Sequence, residues 1–166
     1  MLVVLAFFGL VWLYVREFAF LFNTIGAKRL VIGSMLVAAA VAFGCLWRWR
    51  ERFTPWERHT PEVLFILIFS VLFAPLFGSL INRALAKTEN QSFEFISETP
   101  YFSSNYGILK SEKLRPTGWY LNAQENGRQH TFKYTNQAYY PLTKPGDTIL
   151  LPVRKGLFGC RVVLLK

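Results

Sequence analysis

Reactive side chains are scarce in this sequence. Among 166 residues there are two histidines, two cysteines, two methionines and a single aspartate, Asp147. Catalysis needs groups that exchange protons, attack or hold a metal, and metal sites need ligands at close spacing. No HExxH, CxxC, GxSxG, Walker or dinucleotide fingerprint occurs, so no catalytic residues, no metal and no cofactor are expected. Asp147 follows Lys144-Pro145-Gly146 and reads as a turn residue bonding its own backbone. Cys45 falls in an apolar run and Cys160 in the last hairpin, so no disulfide is expected. Charge is the second shortage: 17% of residues are charged and 52% hydrophobic, against about 25% charged in a soluble domain. The shortage is uneven. Residues 1–82 carry 7 basic against 4 acidic side chains and residues 83–166 carry 12 against 6, giving +3 and +6 of a net +9.

What is abundant is uninterrupted apolar sequence. Val63–Ile81, VLFILIFSVLFAPLFGSLI, holds 19 uncharged residues between Glu62 and Arg83. At about 1.5 Å per residue it is roughly 28 Å long as a helix, close to the thickness of a bilayer core of about 30 Å. Leu30–Trp47 is a second such run, between Lys28-Arg29 and Arg48. The first, MLVVLAFFGLVWLYV, lacks the basic n-region of a signal peptide and is followed by FAFLF, so it reads as a retained span. It ends near residue 15, or runs to about residue 22 with Arg16 snorkelling to an interface shared with Trp12 and Tyr14. The expected organisation is a transmembrane domain over 1–82 with helices at about 1–22, 30–47 and 63–81, a linker over 83–90, and a soluble module over 91–166.

Features of these runs suggest how the helices meet. Ser34, Ala38 and Ala42 fall four apart on one face, and Ala40 and Gly44 repeat that spacing beside them. Small residues at this interval let helix backbones approach closely in lipid, here against the chain's own first or third span, or against a partner's helix. Pro75 and Gly78 mark a bend in the third span, with Ser79 available to the freed carbonyl. The bend is a packing feature or a hinge. Between the second and third runs, Trp47, Trp49 and Trp56 fit an interfacial belt, and Arg48, Arg50, Arg52 and Arg58 fit headgroup contacts. Pro55 and Pro61 are expected to keep one helix from crossing this loop. Basic residues on the two sides number four and five, so orientation rests on the density of RWRER, which places that loop in the cytoplasm and the module outside.

From Gln91 the period shortens to that of strands. Phe93 and Phe95 alternate with polar neighbours. In GWYLNAQENGRQHTFKY, Asn126-Gly127 suits a type I′ turn. Trp119, Leu121 and Ala123 then share one face with His130, Phe132 and Tyr134. TILLPVRKGLFGCRVVLLK reads as a second hairpin whose loop holds Gly156 and Gly159, with Pro152 confining its strand to an edge or bulge. With further segments near 93 and 106–109, five or six short strands are expected. The fold class is thus three transmembrane helices followed by a small antiparallel β domain, barrel-like or a curled sheet.

This pattern favours display over catalysis. The module has more aromatic residues than one sheet face can bury, mixed with Arg and Lys, which suits a protein or headgroup interface. Tyr139, Tyr140 and Pro141 are the protein-binding candidates. The expected function is a non-catalytic accessory, assembly or immunity-type subunit in the plasma or inner membrane, with the bilayer and another protein as partners. The alternative is a homo-oligomeric pore or tension-gated channel, packed through the Ser34/Ala38/Ala42 face and hinged at Pro75 and Gly78. A third is a membrane-tethered Ser/Lys peptidase, to whose Gly-Asp-hydrophobic run GDTILLPV is similar, with Ser103, Ser104 and Lys110 as its reactive groups. That run is a generic entry from a turn into a strand. Nucleic acid is not an expected partner, because no recognition motif accompanies the basic charge.

Overall fold

The computed structural model describes residues 2–84, 86–102, 116–135 and 137–165. Three helices are followed by an antiparallel sheet: α1 (Leu2–Phe22), α2 (Ala27–Arg48) and α3 (Trp56–Ala84), with β1 (Thr24–Ile25) between α1 and α2, then β2 (Lys87–Tyr101), β3 (Gly118–Glu125), β4 (Arg128–Thr135), β5 (Thr148–Lys155) and β6 (Arg161–Val163). By internal contacts the chain divides into two units. One is helical (Met1–Phe18, Gly26–Ala86, Gly156–Cys160) and the other holds the sheet (Ala19–Ile25, Lys87–Lys155, Arg161–Lys166).

In the helical unit all three helices are long and apolar enough to cross a bilayer. Their outward side chains, such as Phe8, Trp12, Leu36, Val41, Phe65 and Ile68, are exposed, as a lipid-facing surface would be. α1 continues through Arg16 and Glu17 to Phe22, so the longer version of the first span is the one formed. Arg16 stays exposed over the Trp12 ring at 4.9 Å. No single helix crosses the loop, as expected, but α3 begins at Trp56 and contains Pro61, so Pro61 is not what separates the two helices. A proline near a helix start forfeits one backbone bond. The chain break falls earlier, between a short 3-10 helix at Arg50–Phe53 and Trp56. At 29 residues α3 is about 43 Å long, more than a bilayer core alone requires. α2 lies close along α3, where a Cβ on Gly78 would stand 2.8 Å from the Ser34 Cβ. α1 meets α3 through large rings, Phe7 with Phe69 and Phe73, and Tyr14 with Phe73.

The sheet has six strands in the order β1-β6-β5-β2-β3-β4, all antiparallel, and is nearly closed into a barrel. β2 is its corner. Its first half pairs with β5 and its second with β3, and the register slips by one residue between Phe95 and Ser97. Such a bulge sharpens twist and bends a strand, which lets a sheet close. The expected bulge or edge at Pro152 is corrected accordingly, since β5 lies between β2 and β6. Pro152 is opposite Asn90, yet its carbonyl accepts from Leu164 N at 2.9 Å. Its missing donor therefore faces away from β2, just beyond the β6 ladder, where no strand bond is lost.

Two other expectations change. The sheet begins before the expected strands, because Thr24 and Ile25, between α1 and α2, pair with Val162 and Arg161 as its first strand. The segment 83–90 contains the end of α3 and the start of β2 rather than a free linker. The strand expected at 106–109 lies outside the described residues.

Inside the barrel the alternation seen in the sequence becomes a core. Trp119, Leu121 and Ala123 are register partners of Tyr134, Phe132 and His130. Of these, Leu121, Ala123, Phe132 and Tyr134 form the buried cluster with Phe93, Phe95, Ile149, Leu151, Val153 and Val163, and Trp119 packs against it. The Asn126-Gly127 turn has φ values of 49° and 76°, as a type I′ turn requires. Closure comes from Asn23, which is 6% exposed. Its amide donates to the Lys133 carbonyl at 2.7 Å and accepts from the Lys133 N–H at 2.7 Å. A side-chain amide thus takes the place of a strand residue between β1 and β4, the two ends of the sheet order.

Candidate functional site

The chain leaving β4 turns back across the core before β5. Tyr140 packs on Phe95, ring centroids 6.1 Å apart, and its hydroxyl donates to the Leu150 carbonyl at 3.2 Å. Burial and the neighbouring Glu98 carboxylate push the Tyr140 hydroxyl up from its ordinary value, so it stays a donor. Glu98 on β2 gathers the loop. Its oxygens accept from Tyr139 N at 3.0 Å, Tyr140 N at 3.2 Å and the Tyr134 hydroxyl. Two successive backbone N–H groups on one carboxylate fix the loop's direction. The next residues form a turn closed by Thr143 N to the Tyr140 carbonyl at 3.2 Å. Pro141 presets its first corner and Leu142 occupies the second.

The outcome is a fixed apolar tip. Leu142 is 94% exposed, and Tyr139, three residues before it, is exposed as well. Of the residues singled out in the sequence, Tyr139 and Pro141 are at this surface while Tyr140 serves as its anchor. Leu142 and Glu98 were missed. The signal for Leu142 was present, since a leucine directly after the proline of a turn has no reason of its own to be there.

The other singled-out residues separate by location. Ala42 is buried and Ser34 and Ala38 are half-buried in the helical unit, with Ser34 against Gly78 of α3. Ala40 and Gly44 are exposed and do not join that face. Pro75 and Gly78 are both buried within a continuous α3. Ser79 does not serve the carbonyl freed by Pro75, because its hydroxyl donates to Glu17 Oε1 at 2.6 Å. Trp47, Trp49, Trp56, Arg48, Arg50, Arg52 and Arg58 are all exposed, with Arg50 over the Trp47 ring at 5.5 Å. Ser103, Ser104 and Lys110 lie outside the described residues.

Buried polar groups form three further clusters. In the helical unit Glu17, only 2% exposed, receives Ser79 and both oxygens accept from Arg83 Nη2 at 2.5 Å. Charges at such positions are costly unless paired. Asn82, fully buried, bonds the Gly156–Cys160 loop. In the sheet unit Arg161 makes a bidentate pair with Glu125 and also reaches Gln91 at 2.8 Å. That pair holds the Glu125 carboxyl below its ordinary value, while burial above all lowers His130. Burial pushes the Cys160 thiol up, away from the reactive thiolate. Asp147 accepts from Lys144 N at 2.9 Å across its own turn. Among the described residues no three His, Cys, Asp or Glu side chains come together as metal ligands.

Fold and site together define a chain with three helices fit to span a membrane and a nearly closed six-stranded sheet. Comparison with protein families, with characterised proteins and with solved structures gives no match.

Proposed function

We propose that this chain is a non-catalytic integral membrane protein whose β module engages another protein, as an accessory or assembly subunit. The observation that carries the reading is the Tyr139–Leu142 turn. A solvent-facing leucine costs a soluble protein exposed apolar area with no packing gain. Here it is held out on a loop anchored by Glu98 and by the Tyr140 hydroxyl. Rigid aromatic and apolar projections are the usual centres of binding energy at interfaces. The membrane is assigned as a plasma or inner membrane, with the RWRER end of the α2–α3 connection cytoplasmic and the module on the opposite side. Reagent labelling of an Asn126→Cys variant in intact cells tests that orientation. A pore built from identical copies is less favoured, because the Ser34 position on its expected packing face is taken by Gly78 of α3.

The test of the function uses the full chain. Cross-linking in membranes followed by purification should yield a heteromeric particle, and Leu142→Asp should abolish the partner's recovery while leaving membrane insertion unchanged. Recovery of the same partner with Leu142→Asp, or a ring of identical chains in detergent, would refute it.

A further inference from the structure

The β5–β6 connection, Gly156–Cys160, belongs to the helical unit. Leu157 and Phe158 at its tip are 54% and 58% exposed. An exposed Leu-Phe pair on a hairpin loop would ordinarily sit among solvated backbone groups. Here four successive N–H groups are all bonded within the protein. Gly156 N donates to the Cys160 carbonyl at 3.0 Å, Leu157 N to the Asn82 carbonyl at 3.0 Å, Phe158 N to Asn82 Oδ1 at 3.0 Å and Gly159 N to the Gly156 carbonyl at 3.1 Å. Asn82 Nδ2 returns a bond to the Cys160 carbonyl at 3.1 Å. The loop thereby satisfies one of the orphan carbonyls in the last turn of α3. Gly156 is required for this, because a Cβ there would fall 2.2 Å from the Asn82 amide.

Backbone that leaves a helix at membrane depth is tolerated only where its polar groups are satisfied by protein. This loop meets that demand on its donor side. Its position along the span is fixed by Asn82, the residue after Ile81, and Phe77 and Ile81 are exposed on the same helix one turn apart. At the start of α2, Lys28 and Arg29 are exposed, and Gly26 just ahead of them meets the loop, its carbonyl accepting from the Cys160 thiol at 3.8 Å. Apolar side chains beside two cations are the composition of an interfacial membrane contact.

We propose that Leu157 and Phe158 insert into the bilayer at the boundary of headgroups and acyl chains, so that the Gly156–Cys160 loop is a membrane wedge beside the end of α3. The occupant of this surface is lipid. Its anionic headgroups meet Lys28 and Arg29.

The experiment needs only the unmodified full chain, reconstituted alone in phosphatidylcholine–phosphatidylglycerol vesicles carrying a phospholipid with a diazirine near the glycerol. Photolysis should place lipid adducts on Leu157 and Phe158. Hydroxyl-radical footprinting of the same vesicles should oxidise Leu142 several-fold faster than Phe158, although a phenyl ring is intrinsically the more reactive. Oxidation of Phe158 as fast as Leu142, or its protection with chain-to-chain adducts in place of lipid adducts, overturns the proposal. Leu142 sits in the sheet unit and serves as the water-exposed reference, so the result is independent of whether any protein binds there.

Discussion

Asn23→Ala should open the barrel along one seam. Asn23 is the residue that bridges β1 and β4, through two bonds of 2.7 Å to the N–H and carbonyl of Lys133. Each such bond contributes about 1 kcal/mol net, and a buried backbone group left without a partner costs about 1–3 kcal/mol. With Asn23 buried, water cannot fully replace its amide, and the substitution should cost about 2–4 kcal/mol. For a module of this size that is a fall in melting temperature of roughly 10–25 °C. Amide exchange gives the sharper readout, because it reports the seam itself. The Lys133 N–H should exchange about 30- to 700-fold faster, at about 1.4 kcal/mol per tenfold. Asn23→Asp adds a check of direction. It keeps an acceptor for the Lys133 N–H but turns a carboxylate oxygen on the Lys133 carbonyl, so at neutral pH it should be no better than alanine. Acid should restore part of its stability, as the protonated carboxyl regains a donor. Unchanged Lys133 exchange in Asn23→Ala, with melting shifted by less than about 1 °C, would refute the closure argument.

Other perturbations reach the remaining clusters. Glu17→Ala removes the acceptor of Ser79 and the carboxylate of Arg83, and should destabilise the helical unit by about 3–5 kcal/mol. Glu17→Gln keeps one acceptor and should cost clearly less; equal losses in detergent melts would count against a paired role. Acid should weaken the sheet unit through two groups whose folded pKa values are depressed. For His130 the unfolded chain takes up the proton first, so stability declines as pH falls below its ordinary value of 6.5. For Glu125 stability present above its ordinary value of 4.5 is lost as pH falls through the lowered one. His130→Gln should flatten the upper part of a denaturant-midpoint series against pH, and Glu125→Gln the lower part; identical slopes in both variants and the parent would rule these groups out. Gly78→Leu should force α2 from α3, because Ser34 already lies within 2.8 Å of a Cβ there. Its check is a drop in monodisperse yield and melting temperature that Gly44→Leu, at an open position, does not share.

What could be read from the sequence was whatever a short window determines. The Val63–Ile81 run needed only its length and lack of charge, and the type I′ turn needed only Asn126-Gly127 between alternating segments. Trp119, Leu121 and Ala123 could be set on one face with His130, Phe132 and Tyr134 because the period of a strand is local. The candidate surface was half legible in the same way. Tyr139-Tyr140-Pro141 stood out as aromatics ahead of a proline, whereas Leu142 had to be seen protruding and Glu98 to be seen beneath.

The unread features all join distant parts of the chain. Thr24 and Ile25 are β-branched but too short a run to show strand alternation, and they are a strand because Val162 and Arg161 pair with them. Glu17 reads as the charge that ends an apolar run, and becomes a buried acceptor only because Ser79 and Arg83 are brought to it from 62 and 66 residues away. Asn23 looks like a turn residue, and its role depends on a backbone 110 residues further on. Glu17 and Asn23 are polar in or near apolar sequence, and that is where the common signal lies. A buried amide or carboxylate carries a desolvation cost that only specific partners can offset, so selection would not keep it in place of a cheaper residue unless those partners were supplied. Glu17, Asn23 and Asn82 are the three that the local pattern explained least, and they hold α1 to α3, one edge of the sheet to the other, and a hairpin loop to the end of a helix.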